Sequence, residues 1–241
     1  MRDLDAFTIA TQPDESTCGP TCLQAVYGFY DDPVDLERVI GEVTMLEEGG
    51  TLGALLGQHA LRRRYRATLH PYNLLVFDPT WMGLGSAELI AKLEAQSAVK
   101  RDPKLRLAID AYRGFLELGG RIAFRPLTRL MLRQTLRRGT PVIVGLSATY
   151  LYQSAREVPT LVGTEFDDVA GVPTGHFVVL CGYDAESRQV AVADPYGPAR
   201  SARASRYWID IDRLVGAILL GVLTWDANLL ILEPPKGSSP R

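Results

Sequence analysis

Apolar residues at helical spacing follow a polar segment near the start of the chain. They are Leu23, Val26, Tyr27 and Tyr30. Intervals of three and four place side chains on one face of an α-helix. Thr17 precedes this run at a position that suits a helix cap, and Pro20 suits the first turn. The pattern predicts a helix that begins near Cys18 and buries one face in the core.

Similar periodicity predicts further helices through the middle of the chain. We expect a short second helix introduced by Asp32-Pro33 and a third helix capped by Thr51. Residues 73–120 are turn-rich at first and then contain two helical stretches, one capped at Ser86 and one following Asp102-Pro103. We interpret 73–120 as a helical lobe inserted before the sheet. It is a candidate for substrate selection, although its aromatic residues are equally explained as core.

Runs rich in β-branched residues predict strands in the remainder of the chain. The expected strands are 65–72, 121–124, 141–146, 176–183, 189–194, 207–209 and 228–232. Helices are expected over 128–138, where Gly139 provides a stop, and from about residue 210. The mixture predicts the α+β class, with helices packed on a sheet.

Two of these strands form a predicted β-hairpin. A five-residue loop, 184–188, separates them. If Tyr183 faces Gln189, His176 and Asp194 lie diagonally on one face at the open end of the hairpin. The pattern therefore places an imidazole and a carboxylate within reach of each other.

A long polar segment precedes this hairpin. Residues 156–175 contain Glu165, Asp167 and Asp168 and are expected to form a loop. Loops of this length are uncommon without a function, so a flap over the functional site is one hypothesis, and a solvated surface loop is the other.

The composition is that of an ordinary globular protein. Of the 241 residues, 46% are hydrophobic and 22% charged, so one large domain over 1–241 can bury a sizeable core. The formal net charge of −2 gives no general electrostatic reason to expect a nucleic-acid partner. The dense basic run Arg62–Arg66 is interpreted as the solvated end of a helix. Residues from about 235 to 241 predict a disordered tail.

Nothing at the start of the chain predicts export. Residues 1–6 are charged and lack the apolar stretch of a signal peptide, so we expect a cytoplasmic location. The most apolar run, 214–225, is shorter than the roughly 20 residues of a membrane-spanning helix, and no membrane association is expected. Three cysteines cannot all pair within one chain, which favours reduced thiols.

A cysteine at a helix N-terminus has the chemistry of a nucleophile. The unpaired amides there carry roughly half a positive elementary charge, which favours the thiolate form of Cys18. His176 would take the proton of Cys18 and later give it to the leaving group, while Asp194 would fix the imidazole tautomer. The side-chain amide of Gln12 is close enough in sequence to join the Cys18 backbone N–H in stabilising an oxyanion.

Four sequence features keep the order and spacing of a known family. They are Gln12, Cys18-Gly-Pro, Gly175-His-Phe-Val-Val-Leu-Cys-Gly-Tyr-Asp184 and Val192-Ala-Asp-Pro195. With them the chain resembles the C39-like branch of the papain-like cysteine peptidases. The resemblance implies a papain-like α+β fold in which the nucleophile helix packs on an antiparallel sheet. By position it implies Gln12 as oxyanion donor, Cys18 as nucleophile, His176 as base and Asp194 as the orienting group.

The resemblance covers the two ends of the chain and does not extend to residues 73–120. The best-known members are peptidase domains fused to membrane transporters, and this sequence contains no transporter or membrane segment. Some stand-alone relatives occur beside ATP-grasp peptide ligases. A similar pathway partner and a peptide or peptide-like substrate are therefore implied for this chain.

Several alternatives stay open. An amine instead of water could resolve the thioester, which would make the protein an acyltransferase or transpeptidase, and a binding module could keep the fold without turnover. Cys18, Cys22 and His176 form a poor zinc pattern, because a second ligand pair is missing. We expect no metal and no cofactor, interpret Cys22 and Cys181 as packed core thiols, and make no prediction of oligomeric state.

Overall fold

A computed structural model describes residues 4–47, 49–160, 163–197, 204–225 and 227–235. Its helices are α1 (Cys18–Phe29), α2 (Leu36–Glu42), α3 (Gly53–Arg62), α4 (Ser86–Val99), α5 (Pro103–Glu117), α6 (Arg129–Leu136), α7 (Ala148–Tyr152) and α8 (Ile211–Leu220). Within the described ranges, no helix is both long enough and apolar enough to cross a membrane. The predicted disordered tail lies, apart from Pro235, outside the described residues.

Seven strands form one sheet, and two more form a separate ribbon. The strands are β1 (Arg66–Pro71), β2 (Arg121–Ile122), β3 (Val142–Ser147), β4 (Glu157–Thr160), β5 (Gly163–Phe166), β6 (Gly175–Asp184), β7 (Gln189–Ala193), β8 (Arg206–Asp210) and β9 (Asn228–Glu233). The sheet order is β2-β1-β9-β3-β6-β7-β8. All neighbours are antiparallel except the edge pair β1 and β2, so the antiparallel prediction is wrong at that edge. The α+β prediction is confirmed.

Strand β6 separates two hydrophobic cores, because successive side chains point to opposite faces of a sheet. Phe177 and Val179 lie in the core that contains the buried face of α1. Val178 and Leu180 lie in the second core, with residues of α6 and α8. The central strands are therefore buried on both faces, which explains why their sequences are apolar runs with little alternation.

Several predicted helix starts are displaced by a few residues. Asp35, and not Asp32-Pro33, caps α2 by accepting a hydrogen bond from the Glu37 amide. Leu52 occupies the cap position of α3, because the Thr51 hydroxyl donates to the Thr44 carbonyl oxygen instead.

The remaining caps are mixed. Gly85 occupies the N-cap position of α4, and Ser86, which was predicted to cap the helix, is its first residue. Asp102 caps α5 and Pro103 is its first residue, as predicted.

The β6–β7 hairpin differs from the predicted register at its turn. Asp184 pairs with Gln189, so the loop has four residues, 185–188, and the five-residue prediction is wrong. A bulge between Leu180 and Gly182 then shifts the register by one residue. Beyond the bulge Val179 pairs with Ala193. At the open end the alignment is therefore the one predicted, with His176 and Asp194 diagonal to each other.

The segment 156–175 contains regular structure, and the prediction of a loop throughout is wrong. Strands β4 and β5 form an antiparallel ribbon, and Val172 returns to pair with Glu157. The Asp167 carboxylate accepts from two amides of the turn that follows β5. These strands were missed because their residues are mostly polar. A two-stranded ribbon buries little surface and therefore needs no apolar run in its sequence.

The two helices of 73–120 pack into the first hydrophobic core. Phe115 of α5 is fully buried and belongs to the same core cluster as α1. On α3, a Cβ added at Gly57 would stand 2.5 Å from the Phe115 ring, so the two helices approach at van der Waals contact. The Gln58 side chain also donates to the Ala111 carbonyl oxygen. Helix α5 is thus packed directly against α3.

Gly57→Ala is expected to lower the free energy of unfolding by about 1–3 kcal/mol, because Phe115 has no room to move away from the new methyl group. Gly41→Ala is the matched control, since a Cβ there meets nothing within 4 Å and the loss of helical glycine is worth up to about 1 kcal/mol in the opposite direction. Urea unfolding of both variants checks the prediction. Equal stability of the two variants would contradict the close α3–α5 packing.

Candidate active site

Cys18 is the first residue of α1, on the helix predicted to carry it. Its side chain is almost buried, with the residue 8% exposed. Thr17 occupies the cap position, but its hydroxyl makes no capping bond, so the prediction of a Thr17 side-chain cap is wrong. The α1 amides therefore keep their positive end directed toward the surroundings of Cys18.

A buried His176–Asp194 pair lies at the open end of the β6–β7 hairpin. The His176 Nε2 atom is 2.9 Å from the Asp194 Oδ1 atom, and both side chains are fully inaccessible to solvent. His176 is the second residue of β6, and Asp194 directly follows β7. The structure thus brings together the two residues that the hairpin register predicted.

Asp194 accepts four hydrogen bonds. Oδ1 accepts from His176 Nε2 and from the Tyr196 amide at 3.0 Å. Oδ2 accepts from the Tyr152 hydroxyl at 2.6 Å and from the Tyr207 hydroxyl at 2.8 Å. Burial raises the pKa of Asp194, but the charge of His176 and the bonds from His176, Tyr152 and Tyr196 outweigh it and hold the pKa below its usual range.

Tyr152 and Tyr207 were missed by the sequence analysis. Tyr152 is the last residue of α7, which follows β3 directly. Tyr207 lies on β8, where it pairs with Val192 two residues before Asp194. Neither tyrosine belongs to a recognised motif, and the only available signal was that a buried carboxylate needs donors beyond one histidine.

His176 is held by a stacking contact on one ring face and by the hydrogen bond from Nε2 to Asp194. Its ring stacks on the Tyr196 ring, with centroids 3.9 Å apart and an interplanar angle of 14°. Burial lowers the pKa of His176, but the charge of Asp194 and hydrogen bonding to Asp194 and Cys18 raise it to about 10. Nδ1 is buried and has no nitrogen or oxygen partner. Because Asp194 occupies Nε2, Nδ1 is the nitrogen left to act on the Cys18 sulfur.

Gln12 lies beside the same loop. Its backbone N–H donates to the Pro195 carbonyl oxygen at 2.9 Å, which ties it to the residue after Asp194. Its side-chain Nε2 donates to the Asp14 carbonyl oxygen at 2.5 Å, while Oε1 is buried without a partner. The amide is therefore engaged locally, and an oxyanion role requires its second N–H or a rotation of the side chain.

The other two cysteines lie in the core, which confirms the prediction of packed thiols. Cys22 is fully buried and its thiol donates to the Phe177 carbonyl oxygen. Burial raises the pKa of Cys22 well above its usual value and raises the pKa of Cys181 to about 11. Across the described ranges, no three His, Cys, Asp or Glu side chains are grouped to hold a metal ion.

A cleft of about 800 Å³ lies elsewhere, beside Arg62, Arg63 and Arg64. It includes Tyr30 at the C-terminus of α1, about 18 Å along the helix from Cys18. Arg63 pairs with Asp32 at 2.6 Å. Arg62 ends α3 and Tyr30 is the C-cap of α1, so the basic run lies near the C-terminal ends of both helices, as the dipole interpretation predicts.

Residues 105–213 match the model of the Peptidase_C39 like family. This segment is therefore similar to members of that family. The C39-like segment contains His176 and Asp194 but neither Gln12 nor Cys18. It also includes residues 105–120, so the expectation that the resemblance stops short of 73–120 is wrong for that part. A search of curated proteins found no match.

Solved structures similar to this chain include three bacterial proteins. A protein of Bacillus anthracis assigned as a C39-like peptidase is 14% identical, with 96% of each chain covered and a TM-score of 0.49. The peptidase domain of Streptococcus ComA, a bi-functional ABC transporter, is 12% identical, with 95% of this chain and 98% of that chain covered and a TM-score of 0.45. Xylellain, a cysteine protease from Xylella fastidiosa, is 15% identical, with 97% and 85% covered and a TM-score of 0.42.

Alkylation by iodoacetamide at about pH 6 is expected to modify Cys18 and leave Cys22 and Cys181 unmodified, because burial favours the protonated form of the latter two. Peptide mass mapping of the folded protein measures the three sites separately. The Cys18→Ala variant is the control and is expected to take up no label. Equally slow modification at all three cysteines would contradict an activated thiol.

Stability should respond to pH through His176. A pKa raised from 6.5 to about 10 on folding contributes stability that is complete below pH 6.5 and is lost as the pH rises toward 10. We expect the free energy of unfolding of the native chain to exceed that of His176→Gln most strongly near the lower limit. Urea unfolding of both proteins across this range measures the difference. A difference that stays constant or widens with pH would contradict a buried imidazolium.

Proposed function

We propose that the protein is a cysteine-dependent hydrolase that cleaves a peptide or amide bond through a thioester acyl-enzyme. The observation that carries this proposal is the buried His176–Asp194 pair, whose Nδ1 atom remains available to the Cys18 thiol at the N-terminus of α1. The match of residues 105–213 to the Peptidase_C39 like family supports it, since the matched segment includes both residues of the pair. Cys18, His176, Asp194 and Gln12 are the residues to which we assign roles.

In the first step the Cys18 sulfur attacks the substrate carbonyl carbon. His176 holds the proton that the thiol has lost, and its raised pKa favours the imidazolium that results. The scissile C–N bond then breaks, and the imidazolium gives its proton to the leaving nitrogen. The products of this step are a free amine and a thioester on Cys18.

In the second step water attacks the thioester carbonyl carbon while His176 accepts a proton from that water. Collapse of the tetrahedral intermediate releases the acid and the Cys18 sulfur. Throughout both steps the ionised Asp194 stabilises the imidazolium and keeps Nδ1 directed at Cys18. Asp194 carries no proton in the cycle, in agreement with its lowered pKa.

Oxyanion stabilisation is assigned to the Cys18 backbone N–H and the side-chain amide of Gln12. The bond from the Gln12 backbone to Pro195 fixes this residue beside the His176–Asp194 pair. Removal of one oxyanion donor typically lowers the rate by about 10²–10³-fold. For this role, the Gln12 Nε2 group must direct its second N–H at the oxyanion or give up its bond to the Asp14 carbonyl oxygen.

The β4–β5 ribbon is the candidate flap. Thr164 donates from its hydroxyl to the Glu15 carboxylate at 3.2 Å, which joins the ribbon to the segment between Gln12 and Cys18. Phe166, the last residue of β5, and Val169, in the turn that follows, expose 63% and 82% of their surfaces. We assign to these exposed apolar groups a contact with the peptide substrate.

The function is tested by intact-protein mass spectrometry after exposure to a peptide aldehyde or an epoxide inhibitor of papain-type enzymes. We expect one adduct on the native chain, none on Cys18→Ala, and adduct formation slowed by about 10²-fold or more on His176→Ala. Tyr72→Phe is a folded control that leaves the site intact. Absence of an adduct on the folded native chain, or an adduct that survives in Cys18→Ala, would contradict the proposal.

A second experiment on the native chain distinguishes hydrolysis from acyl transfer. Once a peptide substrate is found, addition of a small primary amine gives a transferred product if the amine competes with water for the thioester. We expect the acid to remain the major product. A product made mainly with the amine would instead establish the acyltransferase alternative.

A further inference from the structure

We propose that Tyr152 and Tyr207 are positioning residues that hold Asp194 ionised and directed at His176. This inference rests on the proposed function, because it assigns to the two phenols a part in that same site. Neither residue touches the reacting atoms. Their effect on the thiol passes through the carboxylate and the imidazole.

The first argument is the division of donors between the two carboxylate oxygens. Oδ1 is used by His176 and by the Tyr196 amide, whereas both phenols donate to Oδ2, at 2.6 and 2.8 Å. Two donors converging on Oδ2 fix the rotation of the carboxylate about its Cβ–Cγ bond. Oδ1 is thereby kept in line with the ring nitrogen of His176.

The second argument is burial. Asp194 is 0% exposed, so no water is available to solvate its charge. A buried carboxylate without sufficient donors takes up a proton, and a protonated Asp194 no longer stabilises an imidazolium. The two phenols therefore supply hydrogen bonds that bulk water cannot supply at this position.

The third argument is that the two phenols reach Asp194 from different elements. Tyr152 ends α7 and Tyr207 lies on the edge strand β8, on opposite sides of the β6–β7 hairpin in the sequence. Among the described residues, the groups that contribute most to the pKa of Asp194 are His176, Tyr152 and the Tyr196 amide, and His176 is the titratable partner on Oδ1. The phenols are thus the neutral donors that balance the charge of Asp194 on the side away from the histidine.

Tyr152→Phe and Tyr207→Phe each remove one hydroxyl and leave the ring in place. Tyr72→Phe is the matched control, because the hydroxyl of this half-buried residue contacts only the Met131 sulfur at 3.8 Å among the bonds found for it. Two quantities are measured on all four proteins. They are the rate of Cys18 alkylation across pH and the free energy of unfolding across the same range.

We expect each phenol variant to alkylate at Cys18 about ten-fold or more slowly than the native chain near neutral pH. The acidic limit of the reaction should move to higher pH, since Asp194 gains a proton more readily when a donor is lost. The stability that each variant loses should shrink as the pH falls and Asp194 becomes protonated in both proteins. A purely packing role would give a loss that does not depend on pH, as expected for Tyr72→Phe.

Asp194→Asn provides a second background in case a variant unfolds at neutral pH. With the charge removed, Tyr152→Phe should cost clearly less stability than it does in the native chain. An equal cost in both backgrounds, an unchanged alkylation rate, or a stability loss independent of pH would overturn the inference. A native chain whose Cys18 is no more reactive than an ordinary thiol would instead overturn the proposed function, and this is measured before any variant.

Discussion

A carboxylate that is out of reach of water must receive its hydrogen bonds from the protein, and the candidate site depends on this constraint at Asp194. The cost of burying such a charge is several kcal/mol, and removal of one partner of a buried pair typically costs about 3–5 kcal/mol. Bonds to charged groups contribute about 1.5–3 kcal/mol each. Four of them offset the burial of Asp194, and they come from β6, α7, β8 and the turn after β7. These elements are therefore fixed relative to one another through one side chain.

The proposed nucleophile, Cys18, is fixed by a different interaction, which is the packing of α1 on β6. The buried face of α1 shares one core with Phe177, Val179 and Cys181 of β6, and the Cys22 thiol adds a bond to the β6 backbone. The histidine on β6 and the cysteine on α1 are thus held on rigid elements whose separation is set by hydrophobic contact. A catalytic pair supported in this way needs little reorganisation when a substrate binds.

Much of this arrangement follows from the sequence, and the exceptions have physical causes. The α1 periodicity, the hairpin and the pairing of His176 with Asp194 were predicted, because each rests on local spacing. The bulge at residue 181 and the parallel β1–β2 edge were not, since both depend on contacts distant in the sequence. The ribbon in 156–175 was hidden by its polar alternation. Tyr152 and Tyr207 could not be found, because only the folded chain brings their hydroxyls to one oxygen.

The donors around position 194 also explain why the residue is an aspartate. A carboxylate presents acceptor positions on both oxygens, about four in all, and four donors surround it here. An asparagine would place an NH2 group against either the two phenols or the imidazole N–H and the Tyr196 amide. The Tyr196 backbone N–H cannot accept, so the NH2 group would have to face the phenols, both hydroxyls would have to rotate, and the negative charge that supports His176 would be lost. The surroundings of residue 194 are thus complementary to a carboxylate, and the electrostatic support of His176 is built into the positions of its neighbours.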